Sequence, residues 1–198
     1  MDHSTAAELA DPLEHFRAWM KEAEAGEPND PNAMAVATVD AAGQPSVRMV
    51  LLKGADERGF AFYTNRESRK GLELGANPRA ALVVYWQALG RQVRVEGRVE
   101  EVDAEETADY WATRPRGSRL SAAISPQSRV VESRAWLEQR VAELDAASPD
   151  GPSLPAHWGG YRVVPETIEL WEHRDDRLHD RVLYTRDGDD WRLQRLAP

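Results

Sequence analysis

The stretch Met34-Ala35-Val36-Ala37-Thr38-Val39, Asp40-Ala41-Ala42-Gly43-Gln44-Pro45, Ser46-Val47-Arg48-Met49-Val50-Leu51-Leu52-Lys53 decides the fold. Two β-rich runs, Met34 to Val39 and Val47 to Leu52, flank a short segment carrying Asp, Gly and Pro, which is the pattern of an antiparallel hairpin. In the second run, alternation places Arg48, Val50 and Leu52 on one face and Met49, Leu51 and Lys53 on the other. Downstream, Phe60 to Thr64, Ala80 to Trp86 and Gln92 to Val102 read as three more strands, with a brief helix at Ser68 to Gly75. Strands joined by turn-length connections favour an antiparallel barrel or sandwich over βαβ units.

The rest of the chain fits around this unit. Asp11 reads as an N-cap with Pro12 at the first helical position, Glu14 three residues on, and Leu13, Phe16 and Met20 at helical spacing, so a helix runs to about Gly26. Asp103 with Glu106 opens a second helix that carries Tyr110 and Trp111 and stops before Pro115. Ser133 to Ala147 is a third, with Trp136, Leu137, Val141 and Leu144 on one face. The end returns to β at Gly160 to Val164, Thr167 to Trp171, Val182 to Arg186 and Trp191 to Leu196. The expectation is a mainly β fold with flanking helices: one domain over residues 11–198, preceded by a short mobile arm, residues 1–10.

Composition narrows the chemistry. With 198 residues, 41% of them hydrophobic, the chain can build a core. Its 34 acidic and 25 basic residues give a net charge of −9, which argues against holding a nucleic acid by bulk charge. The absence of cysteine excludes disulfides, thiolate catalysis and cysteine-ligated metal clusters. The five histidines lack metal-ligand spacing, so no metal site is expected, and the apolar runs are too short for a membrane helix. Without a basic-then-apolar leader, the expected location is the cytoplasm. No phosphate-loop, serine-elbow, zinc-helix or dinucleotide motif is present.

What remains is a set of cations and hydroxyls at strand ends and loops. Tyr63-Thr64-Asn65 followed by Ser68-Arg69-Lys70 places hydroxyls and two cations beside a helix start, an arrangement suited to a phosphate. Arg114-Pro115-Arg116-Gly117-Ser118, just past the helix bearing Tyr110, offers a second donor cluster. In Arg177-Leu178-His179-Asp180-Arg181, a strand would turn both arginines and the histidine to one side. Each string also reads as solvated surface charge. Together, in an acidic protein, they point to one or two small phosphorylated ligands.

These strings, with Arg48 to Lys53, Arg91-Gln92-Val93, Gln127-Ser128, Trp158-Gly159-Gly160 and the closing Arg195-Leu196-Ala197-Pro198, occur in an order that resembles the pyridoxine (pyridoxamine) 5′-phosphate oxidase family, from about Asp11 to Pro198. The resemblance implies an antiparallel FMN-binding split β-barrel, a homodimer with the flavin at the subunit interface. It also implies oxidation of pyridoxine or pyridoxamine 5′-phosphate to pyridoxal 5′-phosphate, with oxygen reduced to hydrogen peroxide. Carried over by motif, the FMN contacts are Arg48, Met49, Val50, Leu51, Leu52, Lys53, Tyr63, Thr64, Arg69, Lys70, Gln92, Gln127, Ser128, Trp171 and Arg181. Substrate contacts are Lys53, Tyr110, Arg114, Ser118, Arg177 and His179, of which Arg177 and His179 are assigned to the reacting end. Members often carry an N-terminal Arg and Tyr that fold over the site; residues 1–10 contain neither, and residues 172–176 are more charged than the pattern leads one to expect. The alternatives are a split-barrel flavin oxidase acting on another substrate, such as a phenazine-type compound, and a non-catalytic flavin- or pyridoxal-phosphate-binding protein.

Overall fold

The computed structural model describes residues 11–198; the expected arm lies outside the described residues. The hairpin forms as read. β1 (Ala33–Val39) pairs antiparallel with β2 (Pro45–Leu51), which is one edge of the sheet. From there the order runs through β5 (Arg79–Trp86), β6 (Arg91–Glu101), β7 (Trp158–Glu172) and β4 (Gly59–Asn65) to β3 (Gly54–Asp56). β8 (Asp180–Asp187) pairs with β7, and β9 (Asp190–Arg195) with β8. All pairings are antiparallel, giving the mainly β architecture expected.

The sheet branches at β7, where the sequence suggested two strands. One 15-residue strand forms instead, paired with β6 from Tyr161 to Glu172. Its first half pairs with β4 and its second with β8. The division falls at Pro165, which cannot donate to a ladder, opposite a bulge between Glu96 and Gly97. Gly97 is required there, because a Cβ would sit 2.0 Å from the Val164 carbonyl oxygen.

One face of the curled sheet encloses the core. α1 (Pro12–Gly26), capped by the Asp11 side chain at the Leu13 amide, buries Leu13, Phe16, Trp19 and Ala23 against it. Phe16 meets Phe60 edge-on at 5.0 Å and Trp86 at 5.8 Å, and the Trp86 indole donates to the Pro31 carbonyl. Met34, Val36, Leu82, Val84, Val93, Val95, Val163 and Ile168 fill the interior between them. The opposite face is left open at the β2 edge, where Val47, Met49 and Leu51 are exposed. On that face Tyr85, Gln92, Trp171 and Arg181 form one row across β5, β6, β7 and β8.

α2 (Arg69–Ala76) follows β4. α3 (Ala104–Thr113) starts at the Asp103 cap, whose carboxylate accepts from the Glu106 amide. α4 (Arg116–Ile124), for which the sequence carries no start signal, begins at Pro115 without a side-chain cap and carries Gly117 in its first turn. α5 (Arg134–Ala147) packs on α4; Trp136, Leu137, Val141 and Leu144 are half-buried there and none is fully buried.

Candidate functional site

β4 ends in Tyr63-Thr64-Asn65, and the chain turns into α2 through Ser68, whose hydroxyl donates to the Asn65 carbonyl and accepts from the Gly71 amide. The turn folds Lys70 back over the strand end. Its ammonium is buried and donates to Thr64 Oγ1 (3.0 Å), Ser68 Oγ (3.3 Å) and Gln127 Oε1 (2.9 Å), all neutral oxygens. Burial, reinforced by the nearby Arg48 charge and opposed by Glu73, pushes the Lys70 pKa down to about 8.

This has a testable sign. Below pH 8 the buried ammonium costs the fold its desolvation. Between about 8 and the ordinary lysine value of about 10.4 the folded chain has released a proton that the unfolded chain still holds, so stability rises with pH across that window. Urea unfolding of the ligand-free chain at a series of pH values, compared with Lys70→Met, is expected to show this rise only in the unmodified chain. An identical pH dependence in both would contradict it.

Two neighbouring basic residues, Arg48 and Arg69, are paired. Glu73, buried beneath β1 and β2, accepts from Ser46 Oγ (2.6 Å), the Thr38 hydroxyl, Arg69 Nε (2.8 Å) and Arg48 Nη2 (3.2 Å). Burial alone would raise its pKa; the hydrogen bonds from Ser46, Thr38, Arg69 and Arg48 outweigh that and hold it at about 2. Arg48 and Arg69 are thus both bound to Glu73 in this chain.

Two adjoining cavities, of about 450 and 380 Å³, share the walls Tyr63, Thr64, Arg114, Ser118 and Gln127. Both fall in the range of small-ligand sites, about 300–1,000 Å³. Met49, Val50, Leu51, Lys53, Lys70 and Tyr110 line the smaller one. Leu52, by contrast, is buried in the core. Tyr63 stacks on Tyr110 at 4.1 Å and faces Trp158 at 5.4 Å; burial, with Glu106 adding to it, lifts its pKa to about 12, so the phenol stays a proton donor. The close approach depends on Gly160, where a Cβ would lie 2.7 Å from the Tyr63 ring.

Arg114, at the end of α3, lies over the Trp158 ring at 4.7 Å and the Trp111 ring at 5.4 Å. It donates to the Ser118 carbonyl and meets no carboxylate among the described residues; burial lowers its pKa. Trp158, Asn65, Ser121 and Ser125 also line the larger cavity and were not assigned a role from the sequence. The Trp158-Gly159-Gly160 string was the available signal for the first of them.

A second group of expected site residues lies elsewhere. Gln92, Trp171 and Arg181 stand in the row on the open face of the sheet, and none of them lines either cavity. The Arg181 guanidinium is also engaged, by Glu169 at 2.8 Å and the Ala197 carbonyl. The strand expected over 177–181 is corrected: β8 begins only at Asp180, and Asp175–Arg177 is a 3₁₀ turn with Asp176 at φ 56° and Arg177 at φ 62°. Its Asp175 carbonyl accepts from the Leu178 amide, so strand alternation does not relate Arg177 to His179. His179 instead packs on Trp171 at 4.6 Å, and Arg177 is exposed at the turn. Ser128, past Gln127 in the α4–α5 loop, also has a left-handed backbone, φ 71°.

The family model described as pyridoxamine 5′-phosphate oxidase matches residues 20–147, and that of the pyridoxine 5′-phosphate oxidase C-terminal dimerisation region matches residues 158–198. The pyridoxine/pyridoxamine 5′-phosphate oxidases of Burkholderia thailandensis and Gluconobacter oxydans are each 56% identical over 190 residues. These alignments cover 94% and 96% of this chain and 89% and 95% of the relatives. PhzG from Burkholderia lata, solved in complex with tetrahydrophenazine-1-carboxylic acid, superposes with a TM-score of 0.92 at 30% identity, covering 100% of this chain and 98% of its own. A pyridoxamine 5′-phosphate oxidase-related, FMN-binding protein from Nostoc punctiforme shares the fold with a TM-score of 0.76 at 18% identity, over 95% of this chain and 98% of its own. The split-barrel architecture is common to these structures, and with family models across both halves of its sequence and relatives this similar over nearly its full length, the chain belongs to the pyridoxine/pyridoxamine 5′-phosphate oxidase family.

Proposed function

We propose that the chain is an FMN-dependent oxidase that converts pyridoxine or pyridoxamine 5′-phosphate to pyridoxal 5′-phosphate in the cytoplasm, with oxygen taking the electrons and leaving as hydrogen peroxide. The carrying observation is a pair of cations, the buried Lys70 and the half-buried Arg114, that meet no carboxylate among the described residues and stand on the walls of adjoining cavities. Cofactor and substrate each bring a phosphate, and each cation is completed by one: Lys70 with Thr64 and Gln127 for FMN, Arg114 with Tyr110, Ser118 and Lys53 for the substrate. The donor set therefore fits FMN. When bound, FMN supplies the hydride acceptor. The chain's own residues bind the two phosphates, hold the substrate between aromatic walls and exclude water. Because a phosphate dianion favours protonated Lys70, FMN affinity falls as pH rises above about 8.

The remaining residues of the reading, Gln92, Trp171, Arg177, His179 and Arg181, reach the flavin from a second copy of the chain. The matched C-terminal dimerisation region and the exposed Val47, Met49 and Leu51 support a homodimer.

The test is an absorption spectrum. The purified protein loaded with FMN is expected to bleach on anaerobic addition of pyridoxamine 5′-phosphate and to recover its colour, with peroxide formed, on admitting air. A flavin band unchanged by either vitamer phosphate would overturn the reading.

A further inference from the structure

We propose that Arg174 is a positioning residue for His179, and that its backbone amide fixes the imidazole in one tautomer, so that the ring meets the substrate through Nε2 as a hydrogen-bond donor and not as a base. That His179 meets the substrate rests on the function proposed above; the tautomer does not.

The Arg174 amide donates to His179 Nδ1 at 3.2 Å. A backbone N–H can only donate, so Nδ1 must be the bare nitrogen, and the neutral ring carries its proton on Nε2. A general base at Nε2 would need the opposite tautomer. The amide is itself held in place. The Arg174 guanidinium reaches across the turn to both strands that it joins, donating to Glu172 Oε2 (2.7 Å) at the end of β7 and to Asp180 Oδ2 (2.6 Å) at the start of β8. Glu172 is tied in turn to Arg91, and the His173 amide to the Gly90 carbonyl, so the turn is anchored to the neighbouring β5–β6 connection. The groups facing the imidazole are the Trp171 ring at 4.6 Å and the His173 ring at 5.2 Å, with Glu172, Asp180 and the Arg174 guanidinium around them. Two of the charges in residues 172–176, Glu172 and Arg174, thus belong to the clamp, which Asp180 completes.

The holoenzyme labelled with ¹⁵N-histidine tests this by long-range proton–nitrogen correlation above the imidazole titration, His179 being identified by its loss in His179→Gln. The expected pattern is a proton on Nε2 and a bare Nδ1; a proton on Nδ1 would overturn the assignment whatever the activity. Arg174→Ala, which keeps the amide but cuts both ion pairs, is expected to average the two nitrogen signals, and an unchanged pattern would remove Arg174 from the positioning role. In stopped flow, His179→Gln, whose amide nitrogen can still donate, is expected to keep flavin reduction within about tenfold, against about 10- to 100-fold slowing for His179→Ala. A base role demands that glutamine be as slow as alanine, since a lost base costs about 10²- to 10⁴-fold. Should neither variant slow reduction while the Nε2–H pattern holds, the tautomer stands and the assignment of His179 to the substrate falls.

Discussion

Arg114→Ala is expected to raise the Michaelis constant for pyridoxine 5′-phosphate about 10- to 150-fold while leaving bound FMN unchanged. A hydrogen bond to a charged group contributes about 1.5–3 kcal/mol, and each 1.4 kcal/mol is about tenfold in affinity. Arg114 is preorganised for this. Its guanidinium already lies over Trp158 and is held by the Ser118 carbonyl, so little side-chain entropy is lost when the phosphate arrives. Arg114→Lys keeps the charge but loses the planar fork and the stacking, and should fall between the two. Flavin content by absorbance and initial rates against substrate concentration decide the matter. Loss of flavin with unchanged substrate affinity would show that the two phosphates are assigned to the wrong cations.

The other large effect is expected at Arg177. Arg177→Ala should slow anaerobic flavin reduction about 100-fold, because small misplacements of reacting groups cost rate on that scale, while reoxidation by oxygen and FMN content stay as they were. The backbone at this residue is left-handed, which costs a non-glycine residue about 1 kcal/mol or more, and that conformation leaves the side chain exposed at the turn leading into β8. Arg177→Gly separates the two contributions: it suits the backbone but removes the guanidinium, and it should be as slow as the alanine variant. If the glycine variant instead reduced its flavin at the normal rate, the conformation of the turn would be what matters and the guanidinium would have no part in positioning substrate.

The hairpin at residues 33–51 and the helices after Asp11 and Asp103 were legible because each is set by local chemistry: alternation, a turn-forming segment, or a side-chain cap that the structure shows in place. α4 was not, since Pro115 gives it no capping side chain and Gly117 reads as a loop. β7 looked like two strands because Pro165 breaks the local pattern, while the continuity comes from β6 on its other edge, a long-range pairing. In the site, residue types at strand ends were informative, yet type alone did not separate cations with carboxylate partners from cations without. Arg48, Arg69, Lys70 and Arg114 look alike in sequence; Arg69 meets Glu73 as an i,i+4 pair within α2, but only the fold brings Glu73 to Arg48. Likewise the 177–181 string suggested a shared strand face, whereas the left-handed turn that actually joins Arg177 to His179 is stabilised by Arg174 reaching Glu172 and Asp180.

In the proposed enzyme each active site is built from two half-sites on two copies of the chain: the cavity of Lys70, Tyr63 and Arg114 on one, and the face of Trp171, Arg177 and His179 on the other. Subunit hybrids test it most directly. Arg114→Ala and Arg177→Ala chains are co-expressed, and the mixture is assayed with substrate well below the Michaelis constant. In a mixed dimer one site carries both defects and the other carries neither, so random pairing is expected to restore about a quarter of the unmodified rate, well above either parent. A rate no higher than the mean of the two parents would mean that both half-sites act within one chain, and would contradict the account.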